Sequence, residues 1–290
     1  MPVFLFHVKL YGETSLILGG LMIEWYYESL EVKMTKTISV FNQKGGVGKT
    51  TTNINLSTYI ARLGKRVLVI DADPQGNTTS GFGIDKESLE LSLYDGMINE
   101  ESFEDVKIAT RFESLDLIPS KPELAGAEIE MTVMKERELR LRKFLEEGKK
   151  AYDYVFIDCP PSLGLISLNA LTASDSVLVP IQCEYYALEG VSQLMNTINL
   201  VKRGLNSHLH IEGIILTMFD GRTNLSLQVV DEVYSYFGEK VFKTVIPRNV
   251  RLAEAPSHGL SILEYDDRSK GAEAYQALAE EFVQRAEGTQ

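Results

Sequence analysis

From Thr37 onward the chain alternates short apolar runs with longer stretches whose apolar positions recur every three or four residues, the form that β-α units take when they build a parallel sheet. The runs TISVFN (37–42), RVLVIDAD (66–73), LDLIPS (115–120), YDYVFIDCP (152–160), SVLVPI (176–181), IEGIILTMF (211–219) and KVFKTVIP (240–247) read as strands. They are continuous rather than alternating, so each strand is expected to be buried on both faces, with helices on both sides of the sheet. TTTNINLSTYIARLG (50–64) predicts a helix with Leu56, Ile60 and Leu63 on one face and Gly64 as its stop. In GAEAYQALAEEFVQRAEG (271–288), Tyr275, Leu278, Ala279, Phe282 and Ala286 fall on one helical face opposite a mainly acidic one. Residues 82–114 are less regular and read as a charged surface excursion, helical around SLYDGMI (92–98). The predicted class is α/β: a doubly wound, mostly parallel sheet whose ligands gather at the carboxyl ends of its strands.

The first 33 residues break this pattern. SLILGGLMI (15–23) is apolar, but its nine residues are far short of the roughly 20 needed to span a bilayer. Glu13 and Glu24 flank it, without a basic leader region or a small-x-small cleavage site. Residues 1–35 are therefore expected to be a poorly ordered extension, or to precede a true start at Met34, and residues 36–290 a single domain. A membrane-surface or partner-binding segment using Trp25, Tyr26 and Tyr27 is the alternative.

With 290 residues, 44% of them hydrophobic, the chain is long enough for one large core, and no linker or internal repeat divides it. The formal charge of −12 argues against a globally basic nucleic-acid binder, though not against a local positive patch. The two cysteines, Cys159 and Cys183, lie in no C-x-x-C spacing, which excludes a disulfide framework or a single-chain zinc site and fits a reducing cytosol.

The chemistry concentrates in NQKGGVGKTTT (42–52), a glycine-rich turn between a strand and a helix. There backbone N–H groups and a helix N-terminus can surround phosphate. Lys44, Gly45, Gly46, Val47, Gly48, Lys49, Thr50 and Thr51 form the candidate phosphate-binding stretch. Its glycines allow close backbone approach, Lys49 reaches the β- and γ-phosphates, and the Thr50 hydroxyl is offered to Mg²⁺. The common pattern G-x-x-x-x-G-K-[ST] has glycine where this chain has Gln43, and Lys44 is an added cation. Asp158, ending an apolar strand, is expected at the carboxyl edge of the sheet beside the metal, and Asp71 and Asp73, two apart, project to one side.

Together with DADPQGNTTSG (71–81), DYVFIDCPPSLG (153–164) and IPRNVRLAEAPSHG (246–259), the loop resembles that of the ParA/Soj chromosome- and plasmid-partitioning ATPases. These belong to the deviant Walker A class that also holds MinD and the nitrogenase iron protein. The resemblance runs from about residue 36 to the C-terminus and implies slow, partner-stimulated hydrolysis of ATP with Mg²⁺. It implies that Asp73 orients or activates the attacking water, that Asp71 lies near the metal, and that Pro247 and Asn249 contact adenine. It also implies that Lys44 crosses a homodimer interface to the partner's phosphates, that the dimer binds double-stranded DNA nonspecifically, and that a ParB-type centromere-binding protein stimulates it on the nucleoid. In the iron protein, cysteines of two subunits share a cluster; around Cys159 and Cys183 the sequence follows the partitioning pattern instead.

Nonspecific DNA binding needs Lys and Arg near phosphates. Residues 195–260 hold seven Lys/Arg and six Asp/Glu, a local +1 in an acidic chain, and Arg222, Lys243, Arg248 and Arg251 are the candidates. Two rival functions remain. A MinD-like division regulator on membranes would need a basic amphipathic C-terminal helix, whereas AEEFVQRAEGTQ is acidic, so stable membrane association is not expected. A nucleotide-gated transcriptional regulator would share the same motifs.

Overall fold

The computed structural model describes residues 13–18, 21–26, 35–184 and 187–288. The chain divides into two units, Met1–Met34 and Thr35–Gln290. In the first, Glu13–Leu18 pairs antiparallel with Leu21–Tyr26. The rest of the expectation for residues 1–33, Tyr27 included, lies outside the described residues.

The second unit is built on a seven-stranded sheet. Its strands are β1 (Lys36–Val40), β2 (Val67–Asp71), β3 (Ile108–Ala109), β4 (Leu115–Ile118), β5 (Tyr154–Asp158), β6 (Ser176–Gln182) and β7 (His210–Thr217). Their spatial order is β3-β4-β2-β5-β1-β6-β7, all parallel except the edge strand β3. The strand alternation sorts side chains onto two cores. Leu68 and Ile70 of β2 and Val155 and Ile157 of β5 join one cluster, with Ile166 and Leu171 of α2 (Leu165–Ala173), Leu194 and Ile198 of α3 (Ala187–Gly204) and Val229 and Val233 of α4 (Asn224–Phe237). Val67, Val69 and Phe156 join the other, with Ile54, Leu56 and Ile60 of α1 (Lys49–Arg62) and Tyr275, Leu278 and Phe282 of α5 (Lys270–Glu287). Burial on both faces is what the continuous apolar runs require, and the doubly wound, mostly parallel sheet is as expected.

Register places the functional ends side by side. Val40 of β1 and Asp71 of β2 both pair with Asp158 of β5, so three strand ends meet where the connections leave toward opposite edges of the sheet.

Three local expectations need correction. KVFKTVIP is not a strand: only the isolated bridges Ile214–Val241 and Phe219–Pro247 form. Phe242 N–H and Ile246 N–H still donate to Ile214 and Leu216 of β7, each at 2.9 Å. Between them, however, the N–H groups of Lys243 and Thr244 donate to the Glu281 carboxylate of α5, at 2.8 and 2.9 Å, and the ladder is interrupted. Leu63 is not on the buried face of α1; it caps the helix and is 43% exposed. The 82–114 stretch is helical where expected, with a wide turn at Asp95–Asn99, but it is not a surface excursion: Leu93, Met97, Phe103 and Val106 are buried in the core, and it supplies the unexpected β3.

Candidate functional site

The loop after β1 is pinned at both shoulders and open at its tip. The Asn42 amide donates to Pro180 O of β6 at 2.8 Å and accepts from Lys44 N–H at 3.0 Å. On the other side the Thr217 hydroxyl, at the end of β7, donates to Val47 O at 2.8 Å. Between these anchors Gly45 and Gly46 are exposed, and Gly46 and Gly48 have φ of 72° and 91°, a region that favours glycine. Gly48 caps α1 without a side-chain partner, and no acidic residue stands in the first turn, so the helix N-terminus is free to meet an anion.

The two lysines are treated differently. Lys49 is only 7% exposed, and its ammonium donates to Lys44 O at 3.2 Å. Burial lowers its pKa, against the opposing influence of Asp158, Cys159 and Asp73. Lys44 is half-buried, and among the described residues its ammonium has no hydrogen-bond or ion-pair partner.

The carboxylates also differ. Asp158 is 1% exposed, and its Oδ2 accepts from the hydroxyls of Thr50 and Thr78, both at 2.7 Å. Its Oδ1 is buried without a partner. Asp71 is fully buried: Oδ2 accepts from Thr79 N–H and Thr79 Oγ1, both at 2.7 Å, and Oδ1 accepts from Asp73 N–H at 3.2 Å. Burial raises the pKa of Asp71 to about 7, with the neighbouring Asp158 charge adding to it; burial likewise raises Asp158 to about 6. Asp73 is half-buried, and its Oδ1 accepts from Gln75 N–H at 2.9 Å. An unsatisfied buried carboxylate oxygen beside the Thr50 hydroxyl is the hard-oxygen donor set that suits Mg²⁺, an ion that takes few protein ligands and completes its shell with phosphate and water. Asp71, whose oxygens are both engaged, neighbours that position.

Beside the loop lies a cavity of about 330 Å³, lined by Gly48 and Thr51 on one side and by Met218, Pro247, Asn249 and Leu252 on the other. Both sequence candidates, Pro247 and Asn249, are in its wall. Asn249 Oδ1 is engaged as the cap of helix Val250–Glu254, accepting from Arg251 N–H at 2.8 Å. Thr217, Met218 and Tyr275 also line the cavity and were not foreseen. Met218 sits at φ 52°, unusual for a residue with a side chain, and no sequence pattern announces that. The periodicity of 271–288 places Tyr275 on the apolar face and gives no sign of the cavity.

Comparison with known proteins decides the family. The AAA domain family matches residues 35–211. The chain is 59% identical to the sporulation initiation inhibitor protein Soj of Bacillus subtilis over 86% of its own length and 99% of that protein. It is 52% identical to the chromosome partitioning protein ParA of Myxococcus xanthus, over 86% of its own length and 88% of that protein. This chain belongs to the Soj/ParA family. Its fold is shared with the cobyrinic acid a,c-diamide synthase of Mycobacterium smegmatis with bound ADP and magnesium, at 35% identity and a TM-score of 0.78, covering 89% of this chain and 97% of that one.

In this Soj/ParA-family chain the four basic candidates are not gathered into one open patch. Arg222 is bound through Nε and Nη2 to Asp220, at 2.8 and 2.7 Å, and Arg248 pairs with Glu184 at 3.0 Å. Arg251 pairs with Glu254 at 3.0 Å and Asp266 at 3.5 Å. Lys243 lies apart, lining a surface recess with Lys36 and His210, the first residues of β1 and β7, and therefore at the amino ends of the strands. Cys159 and Cys183 are buried, and burial raises both thiols to about 12, as for small packing side chains. Among the described residues no helix is long and apolar enough to cross a membrane.

Proposed function

We propose that this chromosome-partitioning ATPase works as an ATP-dependent dimer switch. ATP closes two copies face to face across their phosphate loops, the dimer holds double-stranded DNA without reading sequence, and hydrolysis, stimulated by a ParB-type protein, releases it. The observation that carries this reading is the division of labour between the two lysines. Lys49 is buried beside Asp158 in its own loop, whereas the Lys44 ammonium has no described partner at a turn that is otherwise open glycine backbone. A second cation there is suited to the phosphates of a facing copy.

In the hydrolytic step, the loop N–H groups, the α1 N-terminus and Lys49 hold the triphosphate and stabilise charge on its oxygens. Thr50 and Asp158 would hold Mg²⁺, which when bound neutralises charge on the β- and γ-phosphate oxygens. Asp73 has one oxygen fixed by Gln75 N–H and the other without a described partner; that second oxygen orients the attacking water. The adenine rests in the 330 Å³ cavity, against Pro247 and the Asn249 segment. DNA contacts come from Arg222, Arg248 and Arg251, with Lys243 on a separate part of the surface. Exposed ion pairs such as theirs are worth only about 0–1 kcal/mol, so phosphates compete with the carboxylates easily.

The test is ATP binding, ATP-dependent dimerisation and turnover of wild type, Lys44→Ala and Lys49→Ala, with and without DNA and the ParB-type protein. Lys44→Ala should bind ATP yet remain monomeric and unstimulated, while Lys49→Ala should lose nucleotide. Normal dimerisation and stimulation of Lys44→Ala would refute the switch.

A further inference from the structure

The two consecutive threonines of DADPQGNTTSG, Thr78 and Thr79, are both fully buried. They lie in the short helical turn Asn77–Gly81, which crosses the carboxyl ends of the strands. Thr78 donates to Asp158 at the end of β5, and Thr79 donates through both its hydroxyl and its N–H to Asp71 at the end of β2. The Thr79 hydroxyl also accepts from Ser120 N–H, just beyond β4, at 3.0 Å, tying the turn to a third strand end. Asp71 and Asp158 are register partners, so two buried carboxylates face the same small volume and would be interchangeable if nothing distinguished them.

The threonine pair distinguishes them. Thr79 and Asp73 N–H together occupy both oxygens of Asp71. Thr78 and Thr50 both donate to the same oxygen of Asp158, leaving the other buried and unpartnered. When the Thr50 hydroxyl is given to a cation as an oxygen ligand, its proton can still point elsewhere, but Thr78 is then the donor whose only described bond is to Asp158. From this we infer that Thr78 and Thr79 are positioning residues that assign the metal-facing role: Thr78 fixes the Asp158 carboxylate with one oxygen open to Mg²⁺, and Thr79 withholds Asp71 from it. The inference rests on the proposed Mg²⁺–ATP reading of the same site. Hydrogen-bond partners of metal-ligating groups typically change metal affinity by about 10–100-fold when removed.

The experiment is a titration with Mg²⁺ of the full chain holding a fluorescent ATP analogue, read as nucleotide affinity and paired with Mn²⁺ binding followed by electron paramagnetic resonance. Thr78→Val, which keeps the shape and removes the donor, should raise the half-saturating Mg²⁺ and Mn²⁺ concentrations about tenfold or more while leaving nucleotide affinity in EDTA unchanged. Thr78→Ser should restore the wild-type response. Thr79→Val, which removes one of the two donors holding the Asp71 oxygen, should also shift the half-saturating Mg²⁺ concentration, and a wild-type Mg²⁺ response in that folded variant overturns the role given to Thr79. Should the valine variant fail to fold, Thr78→Ala carries the same test. A wild-type Mg²⁺ response in the folded Thr78 variant lacking the hydroxyl overturns the positioning role alone, whereas a wild-type protein whose nucleotide affinity ignores Mg²⁺ overturns the metal reading beneath it.

Discussion

At the scale of single residues, the site separates groups that look equivalent in composition. Asp71, Asp73 and Asp158 are three carboxylates at neighbouring strand ends, yet one is saturated with donors, one is held by a single backbone N–H and one keeps a buried oxygen open. A carboxylate that orients water contributes little to ground-state binding. Asp73→Ala is therefore expected to bind ATP with near-normal affinity and to lose turnover by about 10²-fold or more, measured by single-turnover phosphate release beside equilibrium nucleotide binding. Undiminished turnover would remove Asp73 from the hydrolytic role. The motifs made Asp71, Asp73 and Asp158 candidates, but their inequality arises from a local turn, in which Thr79 donates to Asp71 and Gln75 N–H to Asp73, and from the tertiary approach that brings Thr78 to Asp158.

At the scale of elements, α5 does more than cover a sheet face. Phe282 packs between Tyr154 and Phe156 of β5, with ring centroids 5.4 and 5.6 Å away, and stacks at 6.3 Å on Phe242. Phe282→Ala should cost about 3–5 kcal/mol of stability, read by urea unfolding, because it opens a cavity shared by the helix, the sheet and the 240–247 segment. The preceding residue, Glu281, holds the N–H groups of Lys243 and Thr244 and pairs with Arg285 at 2.5 Å. Burial works against its charge, but the Lys243 and Thr244 N–H groups and Arg285 more than offset this and hold its carboxyl below the usual value of 4.5. A depressed carboxyl stabilises the fold above its unfolded value and loses that contribution as pH falls through the folded one. Glu281→Gln should therefore be less stable than wild type at neutral pH, with the difference shrinking below about pH 4.5, as thermal melts across that range would record. A gap that does not change with pH would refute the assignment. The helical periodicity of 271–288 was legible because burial repeats every three or four residues; the loss of the expected 240–247 strand was not, because it depends on a side chain about forty residues away in sequence.

At the scale of the molecule, an acidic chain has to present a local cationic surface if it is to hold DNA. The structure offers arginines already in exposed pairs, with Arg222 88% exposed beside Asp220. Reversing charge at Arg248 and Arg251 together should abolish DNA binding, and the wild-type affinity should fall steeply with salt, both measurable by fluorescence anisotropy. Binding indifferent to both would place any DNA contact elsewhere. The sequence by itself determined the α/β class, six of the seven strands of the sheet and the phosphate loop, because continuous apolar runs, helical spacing and a glycine-rich turn are local properties of neighbouring residues. Only the tertiary structure decided that β5 lies between β2 and β1, and with it the row of Val40, Asp71 and Asp158. It also decided which carboxylate keeps an open oxygen, and that Met218 and Tyr275 wall the cavity beside the loop. Those features depend on hydrogen bonds and packing between segments far apart in sequence, which come into reach of one another only once the sheet has formed.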